Sequence, residues 1–248
     1  MQRAALRWKR AGLRVALVPT MGALHRGHLH LMECARKKAD ILVVSIYVNP
    51  SQFAPGEDLE RYPQPFAQDA NLCRKAGVDL IFNPKNLYFS DHSTWVIEES
   101  ISRGRCGRTR PGHFRGVATV VLKLFNLVQP TQAYFGLKDA QQVGVVQRMV
   151  RDLQVPVQIV PIETIRDRDG LALSSRNEYL SDAQREQALA LPLLLHAAVL
   201  QKKPAEWLKK SLGKSPGIRL DYVEMAEGRL CAAIWVGKTR LIDNIICP

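Results

Sequence analysis

Near its start the chain reads Val15-Ala-Leu-Val-Pro-Thr-Met-Gly-Ala-Leu-His-Arg-Gly-His28. The first four residues are apolar and predict a strand, and the residues from about Gly27 onward have the pattern of a helix. His25 and His28 therefore lie in a turn that leads from a strand into a helix. Backbone N–H groups at a helix start, joined by imidazole donors, suit a phosphate group. An ordinary turn with two histidines is the simpler interpretation, but the whole strand-turn-helix context favours a nucleotide site.

Strand and helix patterns alternate through the first two thirds of the chain. Strands are predicted at Arg14–Val18, Ile41–Val48, Leu80–Phe82, Ala133–Phe135 and Val157–Val160, and helices at Gly27–Ala39, Pro65–Ala76, Val117–Val128 and Ala140–Asp152. The strands are apolar almost throughout, as in a parallel sheet that is covered on both faces. The alternation predicts an α/β fold with a Rossmann-like, doubly wound parallel sheet. Its ligand cleft would lie beyond the carboxyl ends of the strands.

The pattern changes after Ile162, where a charged, turn-prone segment begins. One helix is predicted from Ser181 to about Gln201, and short β-like runs follow at Asp221–Met225, Leu230–Val236 and Leu241–Ile242. We therefore predict two domains, a Rossmann-like domain over residues 1–163 and a smaller α+β domain over residues 164–248.

Composition narrows the class of protein. The apolar and charged fractions of the 248 residues are typical of a soluble globular chain. No apolar run approaches the roughly 20 residues that span a bilayer, and the basic segment 1–12 is not followed by the apolar core of a signal peptide. The five cysteines are scattered and form no C-x-x-C pair, which favours free thiols in a reducing compartment. We expect a cytoplasmic protein without a membrane partner.

The formal net charge of +12 raises the question of nucleic acid. The cations are dispersed, however, and the sequence lacks the alternation of aromatic and basic residues found in RNA-binding sheets. A polyphosphate site explains part of the excess charge, so we expect no nucleic-acid partner. A basic RNA-binding protein on an old nucleotidyltransferase scaffold is the non-enzymatic alternative.

Polar residues also follow other predicted strands. Asn49 and Gln52 come after the second strand, and their amides suit the hydroxyls and carboxylate of a small polar substrate. Lys138 and Asp139 follow Gly136 at the end of the fourth strand, where a lysine suits a phosphate oxygen and an aspartate suits ribose hydroxyls.

Three further segments are candidates for the site. Ser174, Ser175 and Arg176 stand on a flexible stretch at the domain junction and could neutralise departing pyrophosphate. His113 could contact a substrate carboxylate, position neighbouring loops or belong to a purely structural turn. Asp69 is a candidate metal ligand, although the acidic residues around it are too few for an all-protein site, and we expect Mg²⁺ to arrive with the nucleotide.

Several motifs of other enzyme classes are missing from the sequence. No G-x-G-x-x-G follows the first strand and no G-x-x-x-x-G-K-[ST] loop occurs, which argues against a dehydrogenase and a P-loop NTPase. A G-x-S-x-G elbow is also lacking, which argues against a serine hydrolase.

Taken together, the motifs resemble those of the pantoate–β-alanine ligases (pantothenate synthetases). The resemblance runs from about Arg14 to Leu180 and resumes over 239–244. It is carried by P-T-M-G-A-L-H-R-G-H, V-N-P-S-Q-F, R-P-G-H-F-R-G-V, F-G-L-K-D-A-Q-Q and G-L-A-L-S-S-R-N in this order. The H-x-G-H element alone indicates only the wider nucleotidyltransferase superfamily.

The resemblance implies a two-step, Mg²⁺-assisted ligation of pantoate and β-alanine by ATP through pantoyl adenylate. It also implies a homodimer whose small C-terminal domain acts as a lid. Carried over by motif position, the implied roles are as follows: His25 and His28 on ATP phosphates with Met21 beside them, Gln52 and Gln142 on pantoate, Asn49 near the β-alanine route, Lys138 on phosphate, Asp139 and Gly136 on ribose, and Ser174, Ser175 and Arg176 on pyrophosphate.

The chain departs from the family pattern at several places. Leu137 stands where the family usually has glutamate, Gln64 stands where an arginine is usual, and the region 201–218 is short. No element is predicted before the first strand. A nucleotidyltransferase acting on a different small acid or a phosphorylated acceptor is the enzymatic alternative.

Overall fold

A computed structural model describes residues 1–247. The chain divides into two compact units, one formed by residues 1–137 and 141–162 and the other by residues 138–140 and the chain from Glu163 onward. The division assigns Lys138 and Asp139 to the second unit, whereas the sequence-based boundary placed them in the first. Within residues 1–247, no helix combines the length and apolar composition needed to cross a membrane.

The first unit contains a five-stranded parallel sheet with flanking helices. Its strands are β1 (Val15–Thr20), β2 (Ile41–Ile46), β3 (Leu80–Phe82), β4 (Gln132–Gly136) and β5 (Gln158–Ile162), and its helices are α1 (Gln2–Arg10), α2 (Arg26–Arg36), α3 (Phe66–Lys75), α4 (Arg105–Thr109), α5 (His113–Val128) and α6 (Ala140–Asp152). The strand order is β3-β2-β1-β4-β5, and every pairing is parallel. The predicted doubly wound α/β class is confirmed.

This strand order positions the ligand cleft. The chain runs outward from β1 through β2 to β3, then returns to add β4 on the other side of β1. The order reverses between β1 and β4, and such a switch point opens a crevice at the carboxyl ends of the strands. The core beside it is made by the apolar faces of β1, β2 and α2, including Val18, Met32 and Val44, which are fully buried.

The predicted strands and helices of the first unit are all present, and most of them begin or end a few residues away from the predicted positions. Helix α6 has the predicted ends, while α5 begins at His113, four residues before the predicted Val117. α5 is buried along most of its length, as its apolar sequence predicted. Helix α1 was not predicted, because its only buried residue is Ala5 and most of its side chains are charged or exposed.

The second unit packs helices against a small antiparallel sheet. Its helices are α7 (Asp182–Ala188), α8 (Ala190–Leu200) and α9 (Ala205–Lys214), and its strands are β6 (Ile218–Ala226), β7 (Arg229–Val236) and β8 (Thr239–Ile246), in the order β6-β7-β8. Its core includes Leu195, Leu208 and Ile234.

The helix predicted from Ser181 to about Gln201 occupies nearly that range and is capped by Ser181, but it is divided in two by a break of one residue at Leu189, between α7 and α8. Pro192 explains the break, because it has no N–H to donate to the carbonyl of Ala188 and its ring would clash with that carbonyl in a continuous helix. Helix α9 was also missed, in the region that looked shortened.

Candidate active site

The turn after β1 is held by a buried carboxylate. Gly22 has φ +87°, and a Cβ there would lie 3.0 Å from Oδ2 of Asp69, so both the conformation and the space require glycine. Ala23 also has a positive φ, of 50°. The backbone N–H groups of Ala23 and Leu24 donate to the two carboxylate oxygens of Asp69 at 2.9 and 2.8 Å. Asp69, at 1% exposure, therefore fixes the turn that leads to the histidines.

The two histidines cap helix α2 reciprocally. His25 is the N-cap residue, and its Nδ1 accepts from the backbone N–H of Gly27 at 3.2 Å. His28 stands three positions later, and its Nδ1 accepts from the backbone N–H of His25 at 3.3 Å. The ring centroids lie 4.0 Å apart, and the ring planes are tilted by 32°. The pair forms a capping box in which imidazoles replace the usual hydroxyl and carboxylate.

This capping determines the tautomer of both rings. A nitrogen that accepts a hydrogen bond from a backbone N–H carries no proton itself, so both rings are neutral with their hydrogen on Nε2. The arrangement presents two Nε2–H donors at the start of α2, where the helix dipole already favours an anion.

A second polar group forms where β2 ends. Asn49 and Gln52 are buried around the 3₁₀ turn Pro50–Gln52. Nδ2 of Asn49 donates to Oε1 of Gln52 at 3.1 Å, and Nε2 of Gln52 donates to Sδ of Met21 at 2.9 Å. The structure thus brings three sequence-predicted residues, Met21, Asn49 and Gln52, into one hydrogen-bonded group. Met21 contributes its sulfur there, in addition to any backbone contact.

The adjacent glutamines of α6 have different environments. Gln141 is buried, accepts from the N–H of Cys106 at 3.0 Å, and donates to the carbonyls of Ile101 and Gly104 at 2.8 and 2.7 Å. It ties α6 to the segment before α5, a structural task that sequence reasoning did not single out. Gln142, the predicted ligand-binding residue, is half-buried.

Lys138 and Asp139 lie in the 3₁₀ turn Leu137–Asp139, directly after β4 ends at Gly136. Nζ of Lys138 lies 4.0 Å from Oδ2 of Asp139. In the second unit, Nδ2 of the buried Asn244 donates to the carbonyl of Lys138 at 3.0 Å. The backbone of this short turn is thereby fixed to β8.

The serine pair and Arg176 form a separate turn of the second unit. Ser174 caps the 3₁₀ turn Ser175–Tyr179, and its Oγ accepts from the N–H of Arg176 at 3.3 Å. Ser175 is buried, and Arg176 is half-buried. The turn is therefore locally ordered by its own cap.

A metal-binding role for Asp69 does not fit its hydrogen bonds. Both carboxylate oxygens already accept backbone N–H groups. Within residues 1–247, no group of three histidine, cysteine, aspartate or glutamate side chains could hold a metal ion. The described residues therefore offer no metal site built by the protein alone.

Comparison with known proteins identifies the family. The sequence matches the family described as pantoate-beta-alanine ligase over residues 1–246. It is 46% identical to the pantothenate synthetase of Moorella thermoacetica, over 96% of this chain and 92% of that one. Its structure superposes on a pantothenate synthetase of Thermus thermophilus with a TM-score of 0.90 at 43% identity, covering 98% of both chains. The chain belongs to the pantoate-beta-alanine ligase family.

A second solved member of the pantoate-beta-alanine ligase family supports the same assignment. The enzyme from Francisella tularensis, in complex with beta-gamma ATP and beta-alanine, matches at 35% identity with a TM-score of 0.85, over 95% of this chain and 90% of that one. The family resemblance inferred from the motifs is confirmed.

Proposed function

We propose that this protein ligates pantoate to β-alanine with ATP. In the first step a pantoate carboxylate oxygen forms a bond to the α-phosphorus, and the bond from that phosphorus to the bridging oxygen of pyrophosphate breaks. In the second step the amine nitrogen of β-alanine bonds to the acyl carbon of pantoyl adenylate, AMP leaves, and the amine loses a proton. The observation that carries the proposal is the histidine capping box beside the switch point of the sheet in a chain of this family.

The first step requires charge stabilisation more than a protein nucleophile. His25 and His28 would direct their Nε2–H donors at the triphosphate, beside the positive end of the α2 dipole. Neutral donors that are already oriented by capping bonds need no reorganisation when negative charge shifts toward pyrophosphate.

The amides after β2 would bind pantoate. An amide oxygen has two lone pairs and its nitrogen two hydrogens, so Gln52 can keep its bonds to Asn49 and Met21 and still contact a hydroxyl or carboxylate. Gln142 would contribute the second pantoate contact. Asn49 would lie beside the path by which β-alanine enters.

Residues at and after the end of β4 would bind the rest of ATP. Lys138 would contact a phosphate oxygen, while Asp139 and the backbone at Gly136 would meet the ribose. The C-terminal unit would act as a lid over the nucleotide. Within that lid, the residues that close over departing pyrophosphate would be Ser174, Ser175 and Arg176.

Mg²⁺ would accompany ATP instead of occupying a site built by the protein. The absence of a three-ligand cluster among the described residues fits a cation held mainly by phosphate oxygens and water. When bound, it would neutralise phosphate charge.

The assembly and the cellular location are part of the proposal, supported by the family and by the cysteines. We propose a homodimer, which analytical ultracentrifugation would test by mass. All five cysteines are free, as expected of a protein in the reducing cytoplasm.

Pyrophosphate exchange tests the proposed function. Purified protein should exchange labelled pyrophosphate into ATP in the presence of pantoate and Mg²⁺ without β-alanine. Addition of β-alanine should then release AMP and pantothenate in equal amounts. A panel of small acids and phosphorylated acceptors provides the comparison. Exchange that occurs only with another acid would contradict the assigned substrate.

A further inference from the structure

The backbone carbonyl of Gln52 lies in a polar network with His113, Arg110 and Glu57. The proposed function gives these three residues no role. Nδ1 of His113, at the start of α5, lies 2.8 Å from the carbonyl oxygen of Gln52. Nη1 of Arg110 lies 3.1 Å from Nε2 of His113, and its Nη2 donates weakly to the same Gln52 carbonyl at 3.4 Å. Nε and Nη2 of Arg110 donate to the two oxygens of Glu57 at 2.7 and 2.6 Å.

The donors and acceptors of this network allow one protonation pattern. A guanidinium only donates, so Nε2 of His113 accepts from Arg110, and Nδ1 must carry the hydrogen that is donated to the Gln52 carbonyl. His113 is therefore neutral, with the opposite tautomer to the one that His25 and His28 adopt. Burial alone would raise the pKa of Glu57, but the hydrogen bonds and charge of Arg110 lower it below its ordinary value. Glu57 thus stays ionised and keeps Arg110 aligned.

Two other contacts hold the Gln52 turn against α5. A Cβ at Gly116 would lie 2.3 Å from the carbonyl oxygen of Ser51, so only glycine permits this approach. Nδ2 of Asn49 donates to the carbonyl of Gly116 at 3.2 Å. The turn that carries Gln52 is thereby fixed from the helix side, while its side chain is fixed by Asn49 and Met21.

We infer that Glu57, Arg110 and His113 are positioning residues that set the orientation of the Gln52 amide toward pantoate. The inference rests on the proposed function and deepens it. The side chain of Gln52 leaves a backbone whose carbonyl direction is fixed by His113, so a rotated peptide would move the amide away from its substrate. Preorganisation of this kind reduces the conformational entropy that is lost when the substrate binds. Its loss should therefore raise the KM for pantoate and not the KM for ATP. The capping bonds that orient His25 and His28 are made within the start of α2 itself.

The test compares two substitutions of the same histidine. An asparagine amide nitrogen can occupy the position of Nδ1, whereas a glutamine nitrogen reaches the position of Nε2. His113→Gln should raise the KM for pantoate about tenfold, the effect of losing one well-formed hydrogen bond, with the KM for ATP changed less than twofold. His113→Asn should recover most of the pantoate affinity. Both KM values and kcat are measured by AMP release, and thermal melting shows that the variants are folded.

A second pair of variants tests the outer end of the network. Glu57→Gln removes the charge that aligns Arg110 and should raise the pantoate KM severalfold. Asp40→Asn is the matched control, because both carboxylate oxygens of Asp40 accept from Arg14 in a similar pair. That pair lies at the amino ends of β1 and β2, whereas Gln52 follows the carboxyl end of β2. The control should leave both KM values unchanged.

Each outcome decides the inference. A folded His113→Gln protein with wild-type pantoate KM would overturn it, and so would an equal rise in both KM values, which would indicate general disruption. If His113→Gln does not fold, Glu57→Gln decides, and an unchanged pantoate KM there overturns the inference. Wild-type protein that turns over another acid but not pantoate would instead refute the proposed function, and the positioning role toward pantoate with it.

Discussion

Substitution of His28 should separate the structural role of the histidine capping box from the role in catalysis that we propose for it. His28 occupies the third helical position of α2, and its Nδ1 accepts from the N–H of His25 at 3.3 Å. Alanine removes this acceptor and the Nε2–H donor together. Glutamate removes the donor but keeps an acceptor, because glutamate at this position is the usual capping-box residue and its charge suits the helix dipole.

The expected magnitudes follow from these contacts. The capping bond is long and half-buried, so its loss in His28→Ala should lower the free energy of unfolding by about 0.5–1 kcal/mol. That loss corresponds to a fall in Tm of about 1–4 °C for a chain of this size. Loss of one oriented donor to the transition state should slow adenylate formation by about 10²–10³-fold. His28→Glu should melt at or above the wild-type temperature, yet form adenylate no faster than His28→Ala, since its carboxylate would repel phosphate.

The assay pairs thermal melting with pyrophosphate exchange in the presence of pantoate. Near-normal exchange in His28→Glu would refute the proposed contact of this side chain with phosphate. A His28→Glu protein that melts as low as His28→Ala would refute the assignment of the capping bond. The two results are independent, so either part of the reasoning can fail alone.

Three other predictions concern buried and paired groups. Asp69→Ala should lower the free energy of unfolding by about 2–4 kcal/mol in urea titrations, because two buried N–H groups lose a charged acceptor; a loss under about 1 kcal/mol would show that the turn does not depend on it. Hydrogen bonds and charge from Arg14 lower the pKa of Asp40 to about 2, so its stabilising effect should be present above the unfolded pKa of about 3.9 and be lost as pH falls toward 2. Wild type and Asp40→Asn should accordingly converge in stability across that window, and a constant difference would contradict the pairing. Burial raises the pKa of the Cys73 thiol to about 11. Iodoacetamide at about pH 8 should therefore alkylate the half-buried Cys34 before Cys73, as measured by mass spectrometry. Equal labelling of both cysteines in folded protein would argue against the burial of Cys73.

Sequence patterns predicted the first unit better than the second for a physical reason. Strands of a parallel sheet are buried on both faces, so their apolar runs stand out from the amphipathic helices between them. In the second unit the strands are longer than their apolar segments, as in β8, where buried Asp243 and Asn244 interrupt the pattern. Asp243 is buried because it accepts two hydrogen bonds from Arg166, 77 positions away, a pairing that local pattern does not reveal.

The candidate site was predictable in composition but not in its internal bonds. The motifs supplied the residue types, and the order of strands supplied their shared edge of the sheet. Gln141 and Gln142 have the same side chain, and it is the bonds of Gln141 to the N–H of Cys106 and to the carbonyls of Ile101 and Gly104 that mark it as structural. Asp69 likewise looked like a cation ligand until its two oxygens were found on backbone N–H groups.

The three histidines His25, His28 and His113 differ in which ring nitrogen accepts a hydrogen bond. A ring whose Nδ1 accepts, as in His25 and His28, carries its hydrogen on Nε2, the atom that the proposed function assigns to phosphate. A ring whose Nε2 accepts from Arg110, as in His113, directs its hydrogen inward and becomes part of the scaffold. Residue type and spacing are silent on this difference, because the partner of the other nitrogen sets it. The bonds from Arg110 to Glu57 hold the guanidinium that donates to His113, and thereby fix which nitrogen of His113 carries the hydrogen.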